Sequence, residues 1–506
     1  MRARYCFATI LFDTLYIWVR AIGTRKVRKN SVTRLDGNRD CDRLRYCIVD
    51  VTQAKRLAVG FALVLLAMAC LELRIIPAQG SGVIYIKPDG TISPSFAPIS
   101  TNDTFNYRLT DNILNEIVVQ RSGISIDGNH KTVQGTGGGF GLTLNSISGV
   151  SIRDIYVRSF ISGIWLSNSS NINIANSTLT ENLNAISLYS SSNNRIQRNS
   201  ITDSRYGIYL VSSPGNFVED NNISRTEISG VLFDAYSNQN TLSRNVFVDS
   251  GLLVQSSYQN SAEENTVNGG PLVFLENVSN LEITTAGQVV LINCRQIRIE
   301  NLDLAHTSVG VQLWGTTDTL ILDNNVTASY YGIWLCDSSN SSITGNNIAD
   351  NDRGIELWSS SNNRIFHNKM TNNTWQVHDL AWEDSEIDPS INAWDAGYPS
   401  GGNNWSDYTG KDSNGDSIGD TPYTIDAHNT DRYPLMGTYG NPYDINHDQK
   451  VDMKDIGKAA KAFNTRLGDD RWDPQADITG PAPLIPDGKI DMTDINLIAK
   501  HFGERY

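Results

Sequence analysis

The residues best suited to chemistry lie in three acidic loops near the C-terminus. Calcium takes six to eight oxygen ligands, and Asp or Asn at alternate positions of one tight loop supplies several of them. Asp444, Asn446, Asp448, Asp452 and Asp455 stand at loop positions 1, 3, 5, 9 and 12, with the Lys450 carbonyl at position 7. Gln449 occupies position 6, where such loops usually have Gly. Thirty-nine residues on, Ile490-Asp491-Met492-Thr493-Asp494-Ile495 repeats Val451-Asp452-Met453-Lys454-Asp455-Ile456. In this second loop Asp487, Lys489, Asp491 and Asp494 fit the later positions, and the first ligand is expected at Asp477, across a Pro-rich insertion. Asp412, Asn414, Asp416 and Asp420 form the third loop, where calcium would brace the domain before it. Calcium is the expected cofactor, and all three loops fit an extracellular setting.

A second candidate site is aromatic. Gln312 and Trp314, Trp334 and Cys336, and Glu356 and Trp358 take equivalent positions in three related segments. Flat rings at Trp314, Trp334 and Trp358 suit the faces of sugars, and Glu356 suits their hydroxyls. The alternative is that the acidic segment from Trp375 to Trp405 folds back and buries them. Glycoside hydrolysis needs two carboxylates across the scissile bond, and the motifs Asn-Thr-Asp and Gly-His-Gly are absent. The seven histidines form no recognisable dyad, so no catalytic residue is assigned.

A repeat must position these residues. The pattern small–apolar–variable–apolar recurs at 22-residue steps in Gly141-Leu142-Thr143-Leu144, Gly163-Ile164-Trp165-Leu166, Ala185-Ile186-Ser187-Leu188 and Gly207-Ile208-Tyr209-Leu210. It drifts through Gly230-Val231-Leu232-Phe233 and Gly251-Leu252-Leu253-Val254. Strict register returns from Gln288-Val289-Val290-Leu291 through Gly310-Val311-Gln312-Leu313 and Gly332-Ile333-Trp334-Leu335 to Gly354-Ile355-Glu356-Leu357. Asn324, Asn346 and Asn368 keep the same 22-residue step. So short a unit cannot close a core alone, but coaxial stacking buries its Ile, Val and Leu in one column. Alternation sends Ile and Leu inward and the variable residue outward. Asn at a fixed turn position is expected to adopt the left-handed conformation and to hydrogen-bond its equivalents in neighbouring coils. The predicted fold is all-β: a right-handed parallel β-helix of about 22 residues per coil over 80–376, then a cap over 377–440 and a small helical module over 441–506.

Of 41 basic and 55 acidic side chains, residues 1–80 hold 14 and 6, leaving 27 and 49 in the body. A body so acidic repels phosphate, so no nucleic-acid partner is expected. Lys55-Arg56, the apolar run Leu57 to Leu71 and Pro77-Ala78-Gln79-Gly80 describe an export signal over 55–79, with an uncleaved N-terminal anchor as the alternative. Residues 1–54 fit neither picture and point to an over-extended start. Cys294 and Cys336 are the body's only cysteines, too few for a disulfide framework. The expected location is extracellular or at the cell surface.

The coils, Gly128-Asn129-His130, the exit segment Gly402-Asn403-Asn404-Trp405-Ser406-Asp407-Tyr408, and the stretch from Asp412 through Arg432-Tyr433-Pro434-Leu435-Met436 resemble the NosD-like family of β-helix proteins. The resemblance implies a right-handed helix of the pectin-lyase type and export. The family name implies copper delivery, but there is no Cys/Met/His cluster to hold copper. The two loop–helix units resemble a type I dockerin, which implies a cohesin-like partner bound through the helices; a calcium-stabilised spacer with no such partner is the alternative. Loop positions 10 and 11 are Met453-Lys454 and Met492-Thr493 rather than the Ser-Thr pair many dockerins use, so the partner does not transfer. The reading is an exported protein that recognises a polysaccharide or surface glycan, or displays a rigid rod. A polysaccharide lyase or glycosidase is the competing class, and a surface-layer component the third.

Overall fold

The four-residue pattern forms one strand in each coil. Ser162–Ser167, Asn184–Tyr189 and Tyr206–Val211 pair in parallel with Ile164, Ile186 and Ile208 in register, and all three isoleucines are fully buried. The pattern's small residue has a steric origin: a Cβ on Gly332 would stand 2.5 Å from the Gly354 carbonyl oxygen of the next coil. The computed structural model describes residues 82–504, apart from positions 385, 399, 414–416, 438–442, 444, 446–449, 467–468, 474–475 and 480–486. The leader (1–54) and the signal or anchor segment (55–79) lie outside the described residues. The result is a β-solenoid of about 12 turns and about 22 residues per turn.

Buried asparagines run along the coils as ladders. The backbone N–H and side-chain Nδ2 of Asn199 donate to Asn221 Oδ1 at 2.9 and 3.0 Å. Asn221 does the same to Asn245, and Asn245 to Asn265. A second ladder joins Asn324, Asn346, Asn368 and Asn403. The left-handed turn falls one residue earlier than expected: Arg198, Asp220, Asp323 and His367 have φ of 54, 56, 53 and 60°. The asparagine needs its side chain inside the coil, so its neighbour makes the turn.

The expected single core column is corrected to two. Between Gly251 and Gln288, where the register drifts, Thr266–Val267 and Gly270–Glu276 pair antiparallel. Gly270–Glu276 then begins a second parallel stack, followed in its sheet by Gln288–Ile292, Val309–Trp314, Tyr331–Cys336, Arg353–Trp358 and Trp375–Asp379. Alternate residues of this sheet enter different cores. Val289, Leu291, Val311 and Leu313 join the second column, while Val290, Ile292, Trp314 and Cys336 join the first. The outer face of the second stack therefore roofs the open end of the first.

Side-chain amides complete the join. Leu252–Val254 is the last strand of its sheet and would otherwise present unpaired backbone groups. Gln288 accepts from Leu252 N at 2.9 Å and donates to Leu252 O at 2.6 Å. Gln312 repeats the pair on Val254 at 3.2 and 2.6 Å. A Cβ on Gly251 would stand 2.4 Å from Thr307 Oγ1 and 2.5 Å from Gln288 Oε1, so a larger residue there would have to displace these side chains. Cys294 and Cys336 are free and buried.

At the far end Asn404–Trp405 pairs with Lys369–Thr371 and adds a final rung. Trp394 and Trp405 close the column, donating from Nε1 to Asn429 Oδ1 at 2.9 Å and Asp431 Oδ2 at 2.8 Å. Beyond it, helices Met453–Lys461 and Met492–Lys500 pack around Ile445, Val451, Ile478, Ile490 and Ile498. Among the described residues no helix is long and apolar enough to cross a membrane. Replacing Gln312 by Ala strands the Val254 N–H and C=O, and each buried orphan costs roughly 1–3 kcal/mol. The urea midpoint of Gln312→Ala is expected to fall clearly below wild type; an unchanged midpoint would show that the edge does not need this amide.

Candidate functional site

On the second stack's first sheet, the 22-residue register aligns Val290, Gln312, Trp334, Glu356 and His378 in one outward column. Ile292, Trp314, Cys336 and Trp358 form the next. Trp314 lies 6.4 Å from Trp334 and 5.7 Å from Trp358 between ring centroids, so the three indoles do cluster. They do not form an exposed platform. Trp314, Trp334 and Glu356 are buried, and only Trp358 is half-buried. The first stack covers Trp314 and Trp334, whereas Glu356 lies against His378, within the segment from Trp375 to Trp405. Trp314 Nε1 donates to Tyr258 Oη at 2.9 Å, and Trp334 packs with Ile228, Leu232, Leu253 and Val309.

Toward the C-terminal end the column becomes polar. Glu356 accepts from Arg353 Nη1 at 2.8 Å, and its other oxygen lies 2.9 Å from His378 Nδ1. His378 Nε2 lies 3.2 Å from Glu383, the exposed member of the chain. The edges of Trp375 and Trp382 enclose the imidazole, and the Arg353 guanidinium lies 5.5 Å from the centre of the Tyr331 ring. Burial pushes the Glu356 carboxyl above its ordinary value, against the pull of His378 and Arg353. Burial opposes the His378 imidazolium, but the Glu356 hydrogen bond and the two carboxylates outweigh it, and its pKa is raised. This His–Glu pair was missed from sequence although one signal marked it: His378 is 22 residues after Glu356.

A half-buried aromatic row lies on the first stack. Phe140, Trp165, Tyr189 and Tyr209 occupy successive coils and are all half-buried. Successive ring centroids are 4.9, 6.4 and 6.1 Å apart, and Tyr206 stacks on Tyr209 at 5.3 Å. Tyr209 Oη donates to Asp234 at 2.9 Å, and Thr143 donates to Glu116 beside the first rings. Tyr206 and Tyr209 also pack against the apolar cluster holding Trp334, with Tyr330 and Tyr331 beyond. The row thus runs to the corner where the outer faces of the stacks meet. Trp165 and Tyr209 fill the variable, outward position of the repeat, a signal that the choice of Trp314, Trp334 and Trp358 passed over.

The described acidic-loop residues sit at helix starts and turns. Asp452 and Asp491 cap the two helices, each paired in a capping box with Asp455 or Asp494. Asp494 Oδ1 accepts from Ile478 N and Thr479 N at 2.9 Å and from Thr479 Oγ1 at 2.8 Å. Asp477 accepts from Gly488 N at 2.8 Å, and burial pushes its carboxyl up to about 6. The ammonium groups of Lys450 and Lys489 pair with Asp452 and Asp487 at 3.7 and 3.0 Å. Asp412 and Asp420 accept from Ser417 N and Ser413 N, each at 2.9 Å. Asp444, Asn446, Asp448, Asn414 and Asp416 lie outside the described residues. Among the described residues no three His, Cys, Asp or Glu side chains converge to hold a metal ion.

Residues 97–247 and 138–287 match the family model "Right handed beta helix region", which agrees with the stacked coils and supplies their hand. Residues 249–410 match "Periplasmic copper-binding protein (NosD)", over the second stack and part of its cap. The protein is thus a right-handed β-helix with a NosD-type region. No curated protein matches the chain. Among solved structures it is similar to an alginate lyase from a Paenibacillus strain, with 15% identity and TM-score 0.27, covering 48% of this chain and 90% of that one. It is also similar to the A-module of the Azotobacter vinelandii mannuronan C-5 epimerase AlgE6, with 13% identity, TM-score 0.29 and coverage of 59% and 87%. A GH87 α-1,3-glucanase catalytic domain in complex with nigerose gives 15% identity, TM-score 0.28 and coverage of 58% and 57%. Likeness at this level carries no argument about chemistry.

His378 and Glu356 both bind their protons more tightly folded than unfolded, so their stabilisation is greatest at low pH and is lost as pH rises. The urea midpoint is expected to fall as pH rises above the ordinary His value of about 6.5. His378→Gln should flatten that slope; an equal slope in the variant would remove His378 as its source.

Proposed function

We propose that this protein is an exported surface protein that recognises carbohydrate along its β-helix. One observation carries the reading: the half-exposed row Phe140, Trp165, Tyr189 and Tyr209, continued by Tyr206 into the corner between the stacks. Contiguous apolar surface rimmed by polar groups marks an interaction site. Aromatic side chains offer apolar C–H-compatible surface to sugars, while Asp234 and Glu116 supply acceptors for hydroxyls. The candidate sugar contacts therefore move from Trp314, Trp334, Glu356 and Trp358 to this row. The periplasmic location named for the NosD family supports export. Copper delivery is not part of the proposal.

The C-terminal module is proposed to be a calcium-loaded, dockerin-like tether that joins the rod to a cohesin-like domain. Its two capped loop–helix units, related by 39 residues, support that reading. A second reading, a polysaccharide lyase or glycosidase, draws on Glu383, the exposed end of the relay through His378 to Glu356.

A screen of the purified protein on neutral and acidic polysaccharides tests both. Binding without turnover, weakened about tenfold in Trp165→Ala, is expected. New reducing ends or unsaturated uronate would establish the enzyme instead, and neither response would leave a structural surface role. For calcium, chelation is expected to lower the melting temperature of a C-terminal transition and added calcium to restore it. An unchanged melting curve would remove the calcium assignment.

A further inference from the structure

Beside the aromatic row, the turns that lead into successive coils of the first stack line a shallow, open cavity of about 510 Å³. That volume falls within the roughly 300–1,000 Å³ of small-molecule sites. Phe160 and Leu183 supply its apolar lining, and Leu183 is 44% exposed despite being a large hydrophobe. Asp203, Arg205, Arg225 and Glu227 supply its polar lining. The cavity adjoins the row directly: the Arg205 guanidinium lies 5.8 Å from the centre of the Tyr206 ring, which stacks on Tyr209.

The charges select the ligand. Arg225 donates from Nε and Nη2 to the two oxygens of Asp203 at 2.8 and 2.7 Å, so its guanidinium is committed to one carboxylate. Arg205 is shared with Glu227 at 4.0 Å. With Glu181 also in the lining, three carboxylates face two guanidinium groups, within a body whose acidic side chains outnumber basic ones by 49 to 27. A carboxylate- or sulfate-bearing sugar would meet net repulsion here. Alternating donors and acceptors instead match vicinal hydroxyls, each of which donates one hydrogen bond and accepts others. Leu183 and Phe160 offer surface for a sugar's C–H face.

We propose that this cavity binds an uncharged glycan alongside the row from Tyr209 toward Phe140, its lining turns belonging to the same successive coils. The proposal rests on the carbohydrate reading above and adds the class of sugar and a second, mixed-charge wall beside the rings.

Titration calorimetry on the full protein tests it, with neutral tetrasaccharides (cellotetraose, mannotetraose, laminaritetraose, maltotetraose) against tetragalacturonate and tetramannuronate. At least one neutral tetrasaccharide is expected to bind and neither acidic one. Leu183→Asn and Arg205→Gln should each weaken that binding at least fivefold with an unchanged melting temperature; Leu183 is exposed, so its replacement leaves the core intact. Tighter binding of an acidic tetrasaccharide would overturn the proposal. So would unchanged affinity in both cavity variants while Trp165→Ala still weakens binding, an outcome that leaves the row as the recognition surface. Absence of binding by any glycan, short or polymeric, would remove the proposal and the reading beneath it together.

Discussion

A parallel β-helix ends in an unpaired rung and an unroofed apolar column. The last coil of the first stack meets both problems at Leu252–Val254, and the protein answers with the outer face of its own next sheet. Two glutamine amides imitate the missing strand, since a primary amide offers one acceptor and a donor in the geometry of a peptide group. Val290, Ile292, Trp314 and Cys336 provide the roof. Because alternate residues of a strand point to opposite faces, one sheet serves two cores. The reversal at Thr266–Gly270 makes this possible by turning the second stack's outer face toward the first.

That arrangement explains the division of the outer surface. Close to the join, outward residues are buried and apolar or make amide pairs. Farther along the same column, Glu356 and His378 emerge beyond the roof but remain beneath Trp375 and Trp382. A carboxylate so enclosed is tolerated because Arg353 and His378 neutralise and hydrogen-bond it. The half-exposed rings and the mixed-charge cavity both belong to the first stack. The apolar corner that holds Trp334 also receives Tyr206, so the structural join and the candidate recognition surface share side chains.

The asparagine ladders show a comparable division of labour at smaller scale. Each ladder asparagine but the last donates twice to the next, and each returns its Nδ2 to a strand carbonyl, as Asn221 does to Ile196 at 2.9 Å. A side chain so engaged cannot also be chosen for a left-handed backbone, and the residue before it takes that role. Arg198 and His367 adopt it as well as Asp220 and Asp323, because a turn held on both sides by inter-coil hydrogen bonds overrides local preference.

The 22-residue period by itself determined the coils, their register, the inward Ile and Leu, and the neighbourhood of Trp314, Trp334 and Trp358. The same period placed His378 beside Glu356, and the lapse between Gly251 and Gln288 marked the place of the break. These follow from local alternation and spacing, which a strand pattern transmits directly. Only the tertiary structure decided that the strand direction reverses within the lapse, and hence that the tryptophans face another core rather than solvent. A residue's face on a strand is a local property, whereas what covers that face depends on contacts such as Trp314 with Tyr258, 56 residues earlier. The cavity at Arg205 and Leu183 belongs to the same class, because its walls come from turns of different coils that no single repeat contains.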